Sequence, residues 1–144
     1  MKQPLDLARL LLAVADNDIL VFQKLADDKD ISDASIGFHA QQAVEKCLKA
    51  ILALHSVKFR KQHDLGELLD LFQENNLPPP PMAEVLDELN PYAVTLRCDL
   101  IDMEELDRNR VREILIAVRR WTGEQITRHI PVHPTKAYLV SCSA

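Results

Sequence analysis

Apolar residues recur at helical intervals along most of this chain. In the run IGFHAQQAVEKCLKAILAL, residues 36–54, Ile36, Ala40, Ala43, Cys47, Ala50 and Leu54 step by four and three and so share one stripe of a helix. Three of the six are alanines, which lets a neighbouring helix approach closely. Gln41, Gln42, Glu45, Lys46 and Lys49 are interleaved among them, and Phe38 and His39 stand near the helix start. The same rhythm in Leu5, Ala8, Leu12, Ala15, Ile19, Phe22 and Ala26 predicts a first helix from Leu5 to Ala26. A second stripe through Leu7, Leu11, Val14, Val21 and Leu25 widens its apolar face, as expected of a helix that touches two neighbours.

Breaker and capping residues divide the remainder. Asp27 to Asp30 form a polar turn, and Ser32 or Asp33 is placed to cap the second helix, which should fade near His55 and Ser56. Asp64 with Glu67 forms a capping pair for a third helix carrying Leu65, Leu68, Leu69 and Phe72 and stopping at Asn75 and Asn76. Pro78 to Pro81 cannot sit inside a helix, because their backbone donors are missing, and read as a stiff extended connector. Met82, Val85, Leu86 and Leu89 predict a short fourth helix. Pro91 starts or kinks a further piece from Tyr92 to Arg97. A second capping pair, Asp102 with Glu105, precedes a last helix that turns Leu106, Val111, Ile114, Val118 and Trp121 inward and ends by Arg128. Arg108, Arg112 and Arg119 fall near one outer face of it. With only three glycines and no strand-like alternation, the chain reads as all-α. The expected architecture is an up-and-down bundle of four to five helices over residues 1–128. An irregular tail, 129–144, follows, either a disordered end or a short strand at Tyr138 to Val140.

Composition narrows the class. A chain of 144 residues suits one domain with a substantial core. No apolar run approaches the ~20 residues that cross a bilayer, so no membrane partner is expected. The opening Met1-Lys2-Gln3-Pro4, with Asp6 and Arg9 close behind, makes a poor signal peptide. Cys47, Cys98 and Cys142 are odd in number and lack metal-type spacing; Cys47 lies on the apolar stripe and reads as a small buried hydrophobe. A reducing cytoplasm is the simplest setting. The net charge of −5 argues against a general RNA-coating role, since phosphate contacts depend on Lys and Arg. Any anion site must then be a local patch.

Taken in series, several segments resemble the HEPN domain (higher eukaryotes and prokaryotes nucleotide-binding). They are Phe38-His39-Ala40-Gln41-Gln42-Ala43-Val44-Glu45-Lys46-Cys47-Leu48-Lys49-Ala50, then His63-Asp64-Leu65, then Tyr92-Ala93-Val94 with Arg97. The resemblance runs over residues 1 to 127. It implies a helical bundle, usually dimeric, that works on nucleotides or RNA, often beside a minimal nucleotidyltransferase. The nuclease branch of that family carries an Arg, four to six residues, and a His near the start of the last long helix, for acid–base work and phosphate stabilisation. Here that stretch holds Arg108, Arg110 and Arg112 with no histidine at the required distance. The one spacing match, Arg128 with His133, falls in the proline-containing tail, and such a match is expected by chance. Ribonuclease activity is therefore disfavoured.

The candidate anion site comprises Lys58, Arg60, Lys61 and His63, just before the amino end of the third helix, where backbone amides and partial positive charge gather. Lys46 and Lys49 approach from the second helix, and Arg97 offers a planar fork for phosphate or carboxylate. His39, Gln42, Asp64 and Tyr92 are supporting candidates; His39 reads as bonded against the first helix, and Asp64 competes as a cap. The loop cations read equally as a solvated surface, His63 as a structural bond to a helix end, and Arg97 as a salt bridge. No metal site and no cofactor is expected, since the histidines are dispersed. The expected function is a non-catalytic nucleotide- or substrate-binding helical subunit, a homodimer acting with a minimal nucleotidyltransferase in a toxin–antitoxin-like pair. A HEPN ribonuclease toxin and a dimeric protein-interaction module are the alternatives.

Overall fold

Helix α1, Pro4–Leu25, begins with Pro4, whose fixed φ suits a first helical turn and whose missing N–H costs nothing there. Asp6 in its first turn and Lys24 in its last oppose the helix dipole. Its inner face is Ala8, Ala15 and Phe22, all buried. The computed structural model describes residues 3–61, 63–93 and 105–129.

Helix α2, Asp33–Leu54, starts where the Ser32 hydroxyl accepts a hydrogen bond from Ser35 N at 3.2 Å. It ends as Ser56 turns left-handed (φ 57°) and Val57 N donates back to Leu52 O at 2.9 Å. The six-residue stripe from Ile36 to Leu54 is buried throughout, as its spacing predicts. The burial goes further: α2 packs on α1, α3, α5 and the segment after α4, so little of its circumference meets water.

Helix α3, Leu65–Glu74, is capped by Asp64, whose carboxylate accepts from Gly66 N at 2.8 Å. The expected reciprocal partner, Glu67, turns outward instead and holds Arg60 at 2.9 and 3.0 Å. At the other end Asn76 takes the left-handed conformation (φ 56°) that its short polar side chain tolerates. The prolines then carry the chain to α4, Ala83–Leu86, which tightens into a 3-10 segment over Asp87–Ala93 with Pro91 inside it. Asn90 ties that segment to α3, accepting from Leu65 N at 2.8 Å and donating to Asp64 at 3.1 Å.

Helix α5, Arg108–His129, reaches one residue into the expected tail. Asp107 caps it, accepting from Arg110 N at 3.0 Å, while the expected pair of Asp102 with Glu105 falls partly outside the described residues. Its buried face is Val111, Ile114, Leu115, Val118, Thr122 and Ile126; Trp121 is only partly covered and tilts against Phe72 with ring centroids 6.0 Å apart. Among the described residues α1, α3, α5 and the 3-10 segment pack around α2, and no strand occurs. Arg97, Cys98, Asp102, Cys142 and residues 130–144, with the Arg128–His133 spacing, lie wholly or partly outside the described residues.

Candidate anion-binding site

Gln41, Glu45 and Lys49 sit at successive four-residue steps on α2 and are buried, Glu45 completely. A carboxylate taken out of water needs compensating charge and hydrogen bonds. Glu45 receives them from three sides: Lys46 Nζ lies 2.8 Å from Oε2, His63 Nδ1 2.7 Å from Oε1, and Lys49 Nζ 3.6 Å from Oε1. Gln41 Nε2 donates to the His63 carbonyl at 2.7 Å, and Gln42 Nε2 donates to Gln41 Oε1 at 2.7 Å. The chain leaving α2 is thus pinned back onto the middle of that helix.

Burial draws the Lys49 ammonium below the usual lysine range and Lys46 adds to the effect, while the Glu45 charge opposes both. Lys49 also lies 5.6 Å over the Phe59 ring, whose face favours a cation. With Lys46 and Lys49 charged, one carboxylate is outnumbered. Lys46 is 22% exposed, so its ammonium faces outward over a buried negative centre, and the His63 ring, 59% exposed, lies beside it. With Nδ1 on Glu45, His63 keeps Nε2 for a second partner.

The structure brings Lys46, Lys49 and His63 together but sorts the other candidates elsewhere. Arg60 is paired with Glu67, and its cleft is lined by Glu67, Asp70 and Glu74, an acidic setting for an anion. Lys58 and Lys61 are exposed. The amino end of α3 is already filled, since Asp64 and Asn90 side chains take Gly66 N and Leu65 N. That end is therefore not the open anion trap the spacing suggests. His39 bonds Asp18 of α1 at 2.9 Å. Tyr92 is buried against Gly37 of α2, its hydroxyl pushed up by burial and by Asp33.

Glu45 is the centre of this cluster, and the apolar stripe does not single it out. Its signal is present, however: Gln41, Glu45 and Lys49 keep the same four-residue step as the apolar positions, which marks a helix buried on more than one face.

The arginines opening α5 are also committed. Arg108 leaves the expected outer face and turns into the α1–α2 loop, donating to the carbonyls of Ala26, Asp28 and Ile31 at 3.0, 2.9 and 2.5 Å. Its Nε meets Asp33 at 3.0 Å, and Asp33 also accepts from Leu106 N at 3.0 Å. Arg110 pairs with Glu88, and Arg112 with Asp27. Among the described residues no cluster of three or more His, Cys, Asp or Glu could hold a metal, and no helix is long and apolar enough to cross a membrane.

A bundle of five α-helices, α2 at its centre, with a carboxylate on that helix held among Lys46, Lys49 and His63, defines the class as an all-helical domain. A family model for the HEPN domain matches residues 8–125, and the chain belongs to the HEPN domain family. Membership suggests a nucleotide- or RNA-related function. Comparison with curated proteins and with solved structures gave no match.

Proposed function

We propose that this chain is a non-catalytic HEPN subunit that binds the phosphate of a nucleotide, or of an RNA end, over the Glu45 cluster. The observation that carries the reading is the convergence of Lys46, Lys49 and His63 on one buried carboxylate, with Lys46 and His63 outermost. An incoming phosphate meets Lys46 and the outer nitrogen of His63 and is oriented without being cleaved. Arg97 is the remaining candidate contact. The commitment of Arg108 to three loop carbonyls supports a binding role over a nuclease one, because a guanidinium so used is not available to a scissile phosphate.

The test is calorimetric titration with ATP, GTP and a short RNA. His63→Ala, Lys46→Ala and Arg97→Ala should each weaken binding about tenfold while leaving the helical spectrum intact. Unchanged affinity in all three would remove the site. Incubation with mixed RNA checks the competing ribonuclease reading, which would be revived by cleavage lost in His133→Ala.

The proposal extends to a homodimer working beside a minimal nucleotidyltransferase in a toxin–antitoxin-like pair. Leu10 and Val14, one turn apart on the outer side of α1, are 45% and 41% exposed, an apolar surface suited to a second copy. Light scattering across a concentration series should give twice the chain mass, and Val14→Lys should return it to the monomer. A neighbouring reading frame encoding a nucleotidyltransferase, with co-purification of the two products, would establish the partner.

A further inference from the structure

We propose that the groove between α1 and α5 docks an amphipathic helix from a protein partner, apolar on the side that enters and carboxylate-bearing along its flanks. Although the chain is acidic overall, with a net charge of −5, five of its nine arginines line this one groove: Arg9 on α1 and Arg112, Arg119, Arg120 and Arg128 on α5. Two are satisfied internally, Arg112 by Asp27 at 2.9 Å and Arg119 by Asp16 at 2.6 Å. Arg9, Arg120 and Arg128 have no partner among the described residues. Besides the Asp16 and Asp27 that hold Arg119 and Arg112, Glu124 is the one carboxylate among the described residues lining the groove. Uncommitted guanidiniums of one sign, concentrated on an otherwise acidic molecule, are complementary to carboxylates on whatever binds there.

The walls say which kind of anion. Leu12, Ile19, Phe22, Leu115 and Ile126 contribute apolar lining. Of the four large hydrophobic residues exposed among the described residues, Ile116 lines the groove from α5 and is 48% exposed. From α1 the facing wall is Ile19, Phe22 and Gln23. A nucleic-acid backbone gains nothing from such aliphatic edges. Phe22, the one aromatic ring in the lining, is buried and offers no face for stacking a base. An amphipathic helix uses both features, sinking residues at i, i+3 or i+4, and i+7 between Ile19 and Ile116 and setting acidic neighbours against Arg9, Arg120 and Arg128. The groove shares no residue with the Glu45 cluster, so the inference is independent of the nucleotide-binding reading.

The experiment selects peptides from a display library of helix-forming 16-residue sequences against the full chain and measures the enriched sequences by fluorescence polarisation. Leucine, isoleucine or phenylalanine at helical spacing with Asp or Glu beside them is the expected signature. Their affinity should fall tenfold or more in Ile116→Lys and in the Arg9→Glu/Arg120→Glu double variant, all exposed positions, and hold in Lys24→Glu. No enrichment, or binding indifferent to those variants, overturns the proposal. So does a change of mass in light scattering for Ile116→Lys, which would give the groove to a second copy. A labelled uridine 20-mer that binds the wild type and is lost in the double variant, with no acidic peptide enriched, would assign the groove to phosphate instead.

Discussion

His63 and Glu45 are joined across eighteen residues of chain by a 2.7 Å contact between Nδ1 and Oε1, and that contact decides how the site behaves. The buried carboxylate holds the cations in place and at the same time competes with any incoming anion. Glu45→Gln should therefore pull stability and affinity in opposite directions. Loss of a fully buried charge from a cluster whose partners are partly solvated should cost about 1–3 kcal/mol in urea denaturation. Removing a negative charge near the bound phosphate should tighten ATP binding roughly fivefold, about 1 kcal/mol at the effective dielectric of a protein surface. Weaker ATP binding in a folded Glu45→Gln protein would separate the cluster from the ligand.

Much of the fold was legible because helical burial is periodic. Ile36 to Leu54 and Leu5 to Ala26 keep the three–four rhythm, and both α1 and α2 form within a residue or a few of the expected bounds. Terminal signals were less secure, because a capping residue has several partners to choose from. Asp64 caps α3 as expected, but Glu67 prefers the Arg60 guanidinium. At α5, Asp107 caps the helix without a Glu or Gln three residues on, so it carries no capping-box signature. The site was legible only as a list of cations. Lys46, Lys49 and His63 were identified by type, whereas their common centre depends on the chain after α2 folding back, a long-range event that spacing does not encode. Arg108 shows the same limit, since a helical wheel places it on a surface and cannot foresee three loop carbonyls within reach.

Gly37 is required by Tyr92. A Cβ added at Gly37 would come within 2.3 Å of Tyr92 Cδ1, 2.4 Å of Cγ and 2.8 Å of Cε1, and an aromatic ring cannot flex away as the end of a long side chain can. Gly37→Ala should lose about 1–3 kcal/mol despite the better helix propensity of alanine. Adding Tyr92→Leu should recover part of the loss. Strict additivity of the two changes in urea denaturation would show that the ring does not set the constraint.

Cys47 supplies a pH signature. Burial pushes its thiol up to about 11, with Thr122 and Arg119 opposing and Asp16 reinforcing the shift. The native protein therefore keeps a proton that the unfolded chain releases above its ordinary value of about 8.5. Since the folded state binds more protons in that window, stability is undisturbed below about pH 8. It should then fall as the pH rises from ~9 toward 11, by up to roughly 2–3 kcal/mol. Urea denaturation between pH 7 and 10.5 should show this slope in the wild type and a shallower one in Cys47→Ala. Identical slopes would mean that the thiolate is tolerated in the core.

Arg108 supplies the last prediction, because it separates a structural arginine from a catalytic one. Its three carbonyl bonds and its contact with Asp33 tie the loop between α1 and α2 to the start of α5. Lysine cannot reproduce a planar fork that reaches several acceptors at once. Arg108→Lys should therefore lower stability by about 1–2 kcal/mol, and Arg108→Ala by about 2–3 kcal/mol, the exposed side of the loop being rescued by water. Neither change touches the Glu45 cluster, so ATP affinity measured well below the unfolding transition should stay within about twofold of wild type. A folded Arg108→Lys protein that keeps its stability but loses nucleotide binding or an RNA-directed activity would reverse the assignment and restore this arginine to the chemistry.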